Sequence, residues 1–373
     1  MARVLTNCHI YTGTREILNG YLRFSDHILG IGEMATFQPS SHDDVISLSG
    51  DIVVPGFIDV HVHGGYGIDS MTNTATELSH MVTKMRSEGV TGVLLTTMTQ
   101  SPSRIRNAMV TIRQAATMNP AILGIHLEGP FVSPKFNGAQ PRDQIQPASI
   151  SKLADWQRAS GNRVKLLTYA PELNRSARFE RYCQENGIHL AVGHSDARFG
   201  DLEQCQINHV THLFNAQRGL HQREPGVVGY AMLNRQSKVE LICDGFHVVS
   251  PVVKIAYQII GPDRLELVTD AMEAKGMPTG RYQLGGQPVT VKNGRATLSN
   301  GHLAGSVLTY DDGFRNMIQF TGCSIADAVK MTSTNQAREF RLNGKGSLEL
   351  GSDADLNVFD KHLNLMATYS CGK

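Results

Sequence analysis

Eight strand-like apolar runs recur through the middle of this 373-residue chain, most of them separated by a segment of helical pattern. They cover 58–62, 90–97, 121–127, 164–170, 189–192, 209–213, 239–243 and 265–269. Between the first two, Leu78, Met81, Val82 and Met85 recur at i, i+3, i+4 and i+7, the stripe of an amphipathic helix over 76–87. Ile105, Met109 and Ile112 keep a similar order within 103–118. Pro251 directly after Ser250 suits a first helical turn, and Ser324-Ile325-Ala326-Asp327 reads as a helix start. Strands alternating with helices give a parallel sheet, and eight is the number that closes a (β/α)8 TIM-like barrel.

The two ends of the chain lack this alternation. Residues 1–52 and 344–373 carry short strand-like runs broken by Gly, Asn, Asp and Thr, with no helical period. The expectation is an α/β chain with one barrel, 53–343, and a small β-sandwich domain assembled from both termini. Composition serves to remove alternatives. A hydrophobic fraction of 41% can fill a large core, which excludes disorder. A formal net charge of +1 without a basic run argues against nucleic acid and anionic membrane as partners. No apolar run reaches the roughly 18 residues of a membrane span. Arg3 and Thr6-Asn7 interrupt any secretory leader, so a cytoplasmic protein is expected. The six cysteines are scattered without Cys-x-x-Cys spacing, as buried thiols are.

Barrel enzymes work at the C-terminal ends of their strands, and here those ends are polar. The first closes on His61-Val62-His63, the third on His126-Leu127-Glu128 and the fifth on Gly193-His194-Ser195. The sixth closes on Thr211-His212, the seventh on Asp244-Gly245-Phe246-His247 and the eighth on Thr269-Asp270. Random placement would spread 15 histidines over loops and helices instead. His61 and His63 are two apart on a strand and so face the same way. Imidazole and carboxylate donors without thiolates suit a divalent Zn, Fe, Co or Mn ion, and three protein ligands leave a position open for water. Such an ion lowers the pKa of its water toward roughly 7, and Asp270 is the carboxylate placed to carry the proton. His9, His27, His42, His80, His189, His221, His302 and His362 stand at no such strand end and are set aside as ligands.

Further motifs run along nearly the whole chain. They are Pro55-Gly56-Phe57-Ile58-Asp59, His126-Leu127-Glu128-Gly129-Pro130, Thr211-His212-Leu213-Phe214-Asn215-Ala216, Arg223-Glu224-Pro225-Gly226, Val268-Thr269-Asp270-Ala271 and Leu303-Ala304-Gly305-Ser306. With them the chain resembles the amidohydrolase superfamily, and within it the N-acetylglucosamine-6-phosphate deacetylase branch. The resemblance implies hydrolysis of the N-acetyl amide of N-acetylglucosamine 6-phosphate to glucosamine 6-phosphate and acetate. It implies one or two divalent ions per subunit, the principal one on Glu128, His194 and His212, with Glu128 bridging to a second on His61 and His63 beside Asp270. Asp270 would deprotonate the bound water and then protonate the leaving amine. The phosphorylated sugar would be met by Ala139, Gln140, Asn215, Ala216, Arg223, Asp244, Gly245, Phe246, His247, Leu303, Ala304 and Gly305. In the family the arginine matching Arg223 reaches into the neighbouring subunit's site, which implies a homodimer, and a guanidinium fork suits a phosphate.

The chain departs from the branch in two places. Some members lack His-x-His in the first strand and carry His where Gln140 stands, and Met is usual where Gln217 stands. Three other functions compete. The same chemistry on the galacto epimer is the nearest. A cyclic-amide hydrolase or deaminase would want a carboxylated Lys ending strand four, where Tyr169-Ala170-Pro171-Glu172 offers none. A catalytically dead binding protein would lack a ligand or the base, and none is missing.

Overall fold

The computed structural model describes residues 2–373. At its centre are eight parallel strands: β1 (Phe57–Val62), β2 (Val90–Thr97), β3 (Ile122–Glu128), β4 (Val164–Tyr169), β5 (His189–Val192), β6 (His209–Val210), β7 (Lys238–Ile242) and β8 (Leu265–Val268). They are hydrogen-bonded in chain order. The first and last meet beyond β8 through a parallel bridge between Val62 and Ala271, with Asp270 N donating to His61 O at 2.8 Å. Asp59 ties the same seam lower down, its Oδ2 accepting from Thr269 Oγ1 at 2.6 Å. The sheet thus closes into the (β/α)8 barrel that the alternation predicts.

Both faces of these strands are buried, as a barrel sleeved in helices requires. Ile58, Val60, Leu94, Leu166, Ala191, Ile242 and Val268 point inward and fill the barrel. Their neighbours Val93, Leu95, Ile125, Leu127 and Leu167 point outward against the helices. The helix Ala75–Lys84 shows how such a cover forms. Thr74 and Glu77 cap each other's backbone N–H groups, and Leu78, Met81 and Val82 turn inward. The helical path tightens at Met85–Glu88 and stops at Gly89, whose φ of +83° suits a residue without Cβ. The helix Pro102–Met118 starts after Ser101, whose hydroxyl accepts from Arg104 N.

Both termini contribute to one mixed sheet. Ala2–Tyr11, Glu16–Phe24, Ile28–Glu33, Asp43–Ser47 and Ile52–Pro55 come from the N-terminal part, Leu356–Phe359 and Leu365–Tyr369 from the C-terminal part. It covers its own apolar cluster, including Leu5, Ile10, Leu22, Phe24, Val53, Leu356 and Val358. A three-stranded sheet, Gly280–Leu284, Gln287–Lys292 and Arg295–Thr297, was not anticipated. Its inward residues Leu284, Val289, Val291 and Ala296 pack on Met98, Met272 and Ala304 beside the barrel rim. The six cysteines are free thiols, four of them buried. Among the described residues no helix is long and apolar enough to cross a membrane.

Candidate active site

The polar strand ends converge on one point. Glu128 closes β3, and its Oε1 lies 3.0 Å from His194 Nε2 and 3.1 Å from His212 Nε2, nitrogens themselves 3.1 Å apart. Its Oε2 is 3.2 Å from His63 Nε2. Asp270 Oδ1 stands 3.3 Å from His63 Nε2 and 3.4 Å from His61 Nε2. Two donor trios therefore share the rim, Glu128 with His194 and His212, and His61 and His63 with Asp270.

The backbone is bent to achieve this. His194, His212 and Asp270 have φ of +48°, +30° and +47°, a region non-glycine residues occupy at a cost of order 1–3 kcal/mol each. All three stand just past the last hydrogen-bonded residue of their strands, where the turn aims the side chain across the barrel mouth. Gly129, after Glu128, has φ +73°, and a Cβ there would sit 2.1 Å from Thr99 Oγ1.

Partners behind the donors fix their orientation. His194 Nδ1 donates to Phe136 O at 3.0 Å, which leaves Nε2 as the atom facing Glu128. His61 Nδ1 is 2.8 Å from Glu240 Oε2, and since a carboxylate accepts, the hydrogen sits on Nδ1 and the Nε2 lone pair faces the rim. Gln140 donates from Nε2 to Glu128 Oε2 at 2.7 Å and accepts from Thr99 N at 2.7 Å. Its amide is thereby spent on holding Glu128.

The charges of this cluster call for a cation. Burial opposes the charge on Glu128, but His61, His194 and His212 outweigh it and hold the carboxyl well below its usual range. Burial likewise opposes protonation of His63, yet Asp270 and Glu128 bring its pKa up to about 9. Protons here occupy places a divalent ion would take. The side chains of His61, His63 and His212 are at most 4% exposed, and His61 Nε2, His63 Nδ1 and His212 Nδ1 have no hydrogen-bond partner among the described residues. Imidazoles and carboxylates within a few ångströms of one another, with the His61 Nε2 lone pair facing them unspent, fit a divalent metal.

The rim opens into a cavity of about 390 Å³. Ala139, Gln140, Asn215, Ala216, His247, Leu303 and Gly305 line it beside the metal donors. Asp244, Gly245, Phe246 and Ala304 do not. Asp244 instead shapes the loop: its Oδ1 accepts from Phe246 N and His247 N at 2.8 Å, and its Oδ2 is 2.7 Å from His247 Nδ1. Phe246 lies under the Arg295 guanidinium, 4.5 Å from the ring centroid. Ala304 is fully buried, and Arg223 is exposed outside the lining. Sequence reasoning missed Met98, Lys135, Phe136, Gly138, Leu284 and His302, which also line the cavity. It missed Glu240 too, which lies inside β7 with no strand-end signal.

The sequence profile of the amidohydrolase family matches residues 52–198 and 286–370. The chain is 37% identical to the N-acetylglucosamine-6-phosphate deacetylase of Bacillus subtilis, over 97% of this chain and 94% of that one. It is 32% identical to the N-acetylgalactosamine-6-phosphate deacetylase of Escherichia coli O157:H7, over 96% of this chain and 97% of that one. Among solved structures it matches a mutant N-acetyl-D-glucosamine-6-phosphate deacetylase of Mycobacterium smegmatis in complex with N-acetyl-D-glucosamine-6-phosphate. That match has a TM-score of 0.94 and 30% identity, covering 100% of this chain and 98% of the other.

Proposed function

The chain belongs to the amidohydrolase family, in its N-acetylglucosamine-6-phosphate deacetylase branch, and from that premise we infer that its rim cluster removes the acetyl group from N-acetylglucosamine 6-phosphate. The observation that carries the reading is Glu128, with His194, His212 and His63 on its two oxygens at the floor of a sugar-sized cavity.

Glu128, His194 and His212 would hold one divalent cation, and His61 and His63, with Glu128 and Asp270 between them, would hold a second. A cation there supplies Lewis acidity for the amide carbonyl and for water. The chain's own groups do the rest. Asp270 takes a proton from the attacking water as the oxygen joins the carbonyl carbon, and returns it to the nitrogen as the C–N bond breaks, leaving acetate and a free amine. The charges of His61 and His63 outweigh burial and lower the pKa of Asp270, so it starts as a base. His247, held by Asp244, lines the cavity that the sugar would enter and is a candidate to bind it.

The reading extends to a cytoplasmic homodimer, with residues 1–52 and 344–373 forming a domain beside the barrel. Arg223 is exposed outside its own cavity, near Leu220, which is 60% exposed, and this supports a role for the arginine in a partner's site. Zn, Fe, Co and Mn all suit the donors. Metal-loaded protein is to be incubated with the gluco and the galacto 6-phosphate, and acetate measured. Release from the gluco epimer with the higher kcat/KM is expected. No acetate above background from either would end the proposal, and preference for the galacto epimer would reassign the substrate.

A further inference from the structure

At the opposite end of the barrel a second cluster gathers that the rim chemistry does not use. His189 opens β5, His209 opens β6 and Glu266 lies in β8. Glu339 reaches them from the helix Asn335–Glu339, which continues a π-helical turn, Lys330–Thr334. His209 Nδ1 is 3.0 and 3.1 Å from the two oxygens of Glu339, and His189 Nδ1 is 3.4 Å from Glu339 Oε1. One donor atom each from His209, Glu266 and Glu339 lie within 4.8 Å of one another.

Glu266 is the telling member. It is fully buried, and as a carboxylate it finds no hydrogen-bond donor for either oxygen among the described residues. A carboxylate in that state needs a proton or a cation, because burying an uncompensated charge costs several kcal/mol. Burial first, and then the neighbouring Glu339 carboxyl, raise the pKa of Glu266 well above its usual range, and Glu339 can accept a hydrogen bond from Glu266 only if Glu266 carries the proton. Nor is the His209 ring free to help: Nε2 faces Glu240 Oε1 at 3.1 Å while Nδ1 faces Glu339. Carboxylates on both sides of one imidazole demand either two ring protons or a cation in place of the Nδ1 proton. A cavity of about 990 Å³ lies at this end, lined by His189, Asn208, Phe340 and Arg341 among others, and His189 is the member of the cluster that reaches it.

We propose that His209, Glu266 and Glu339, with His189 at the mouth, form a divalent-cation site separate from the rim. Two imidazoles and two carboxylates suit Zn²⁺ or Mn²⁺. The site is wired to the catalytic one. A cation on His209 Nδ1 leaves Nε2–H to donate to Glu240 Oε1, and Glu240 Oε2 accepts from His61 Nδ1. The ion at the base therefore fixes the orientation of a donor at the rim.

The test uses the full chain, stripped with a chelator, reloaded with Zn²⁺ or Mn²⁺, freed of excess ion and analysed for metal per chain. Glu266→Gln is expected to retain one ion fewer than wild type, and Glu128→Gln to lose rim metal while keeping the ion at the base. Equal content in wild type and a folded Glu266→Gln overturns the proposal. A measurement free of variants decides the case where Glu266→Gln does not fold. Wild-type crystals grown in Mn²⁺ are expected to show an anomalous peak between His209, Glu266 and Glu339. Peaks at the rim alone, at saturating Mn²⁺, assign Glu266 a proton and end the proposal. No peak anywhere ends it too and removes the rim assignment separately.

Discussion

The two ends of the barrel gather the same chemical groups on opposite kinds of backbone. At the rim, His194, His212 and Asp270 stand past their strands in left-handed conformations and face a cavity. At the base, His209 and Glu266 sit within regular strands, and the barrel's own inward alternation places them together. Strain is concentrated where donors from several strands must be aimed at one reacting point. Where a cluster needs only to be enclosed, the ordinary pleat suffices. Changes at the rim should therefore strike turnover and leave folding intact, and changes at the base should strike ion content and stability first.

The largest expected effect breaks the rim at its proton carrier. Asp270→Asn should retain metal at Glu128, His194 and His212 while kcat falls roughly 10²- to 10⁴-fold. Turnover near that of wild type would take the role from Asp270. Next comes the link between the two ends. Glu240→Gln replaces the acceptor that orients His61 and His209. Loss of such a supporting carboxylate costs about 10- to 100-fold in metal affinity or activity, measurable by chelator competition and by kcat/KM. A change under twofold in both would make the two ends independent. Arg223→Ala should raise KM about 10- to 100-fold with kcat little changed, since a hydrogen bond to a charged group is worth about 1.5–3 kcal/mol. Unchanged KM and kcat/KM would remove Arg223 from any site.

How much of this was legible follows from the same contrast. The barrel could be read because β1 to β8 are separated by amphipathic helices whose stripes, such as Leu78, Met81 and Val82, repeat with helical spacing. The rim could be read because His, Glu and Asp at strand ends break an apolar pattern at recurring places. Glu240, Glu266 and His209 broke no such rule: single polar residues inside short strands look like surface alternation until closure turns that face inward. His189 and His302 end no strand, so the strand-end rule passes over both; His189 stands 3.4 Å from Glu339 and His302 lines the cavity. The sheet Gly280–Leu284, Gln287–Lys292 and Arg295–Thr297 was lost because its alternation is short and crossed by glycines.

The smallest expected effect weighs the base by itself. In metal-free protein, Glu266→Leu removes a buried carboxyl that has no donor for its oxygens and inserts an apolar group of similar size, so the cost of burying that polar group disappears. The variant should then be at least as stable as wild type in urea melts. Saturating Mn²⁺ should shift the comparison. Any ion bound only by the folded state adds RT ln(1 + [L]/Kd), about 2.7 kcal/mol at one hundred times Kd. The rim contributes to the gain in both proteins, so the surplus gained by wild type reports the ion at the base together with its effect on the rim through Glu240. Equal gains would mean that the base cluster is held by a shared proton. The contrast between the ends would then be one of an ion at the rim against a protonated carboxyl at the base.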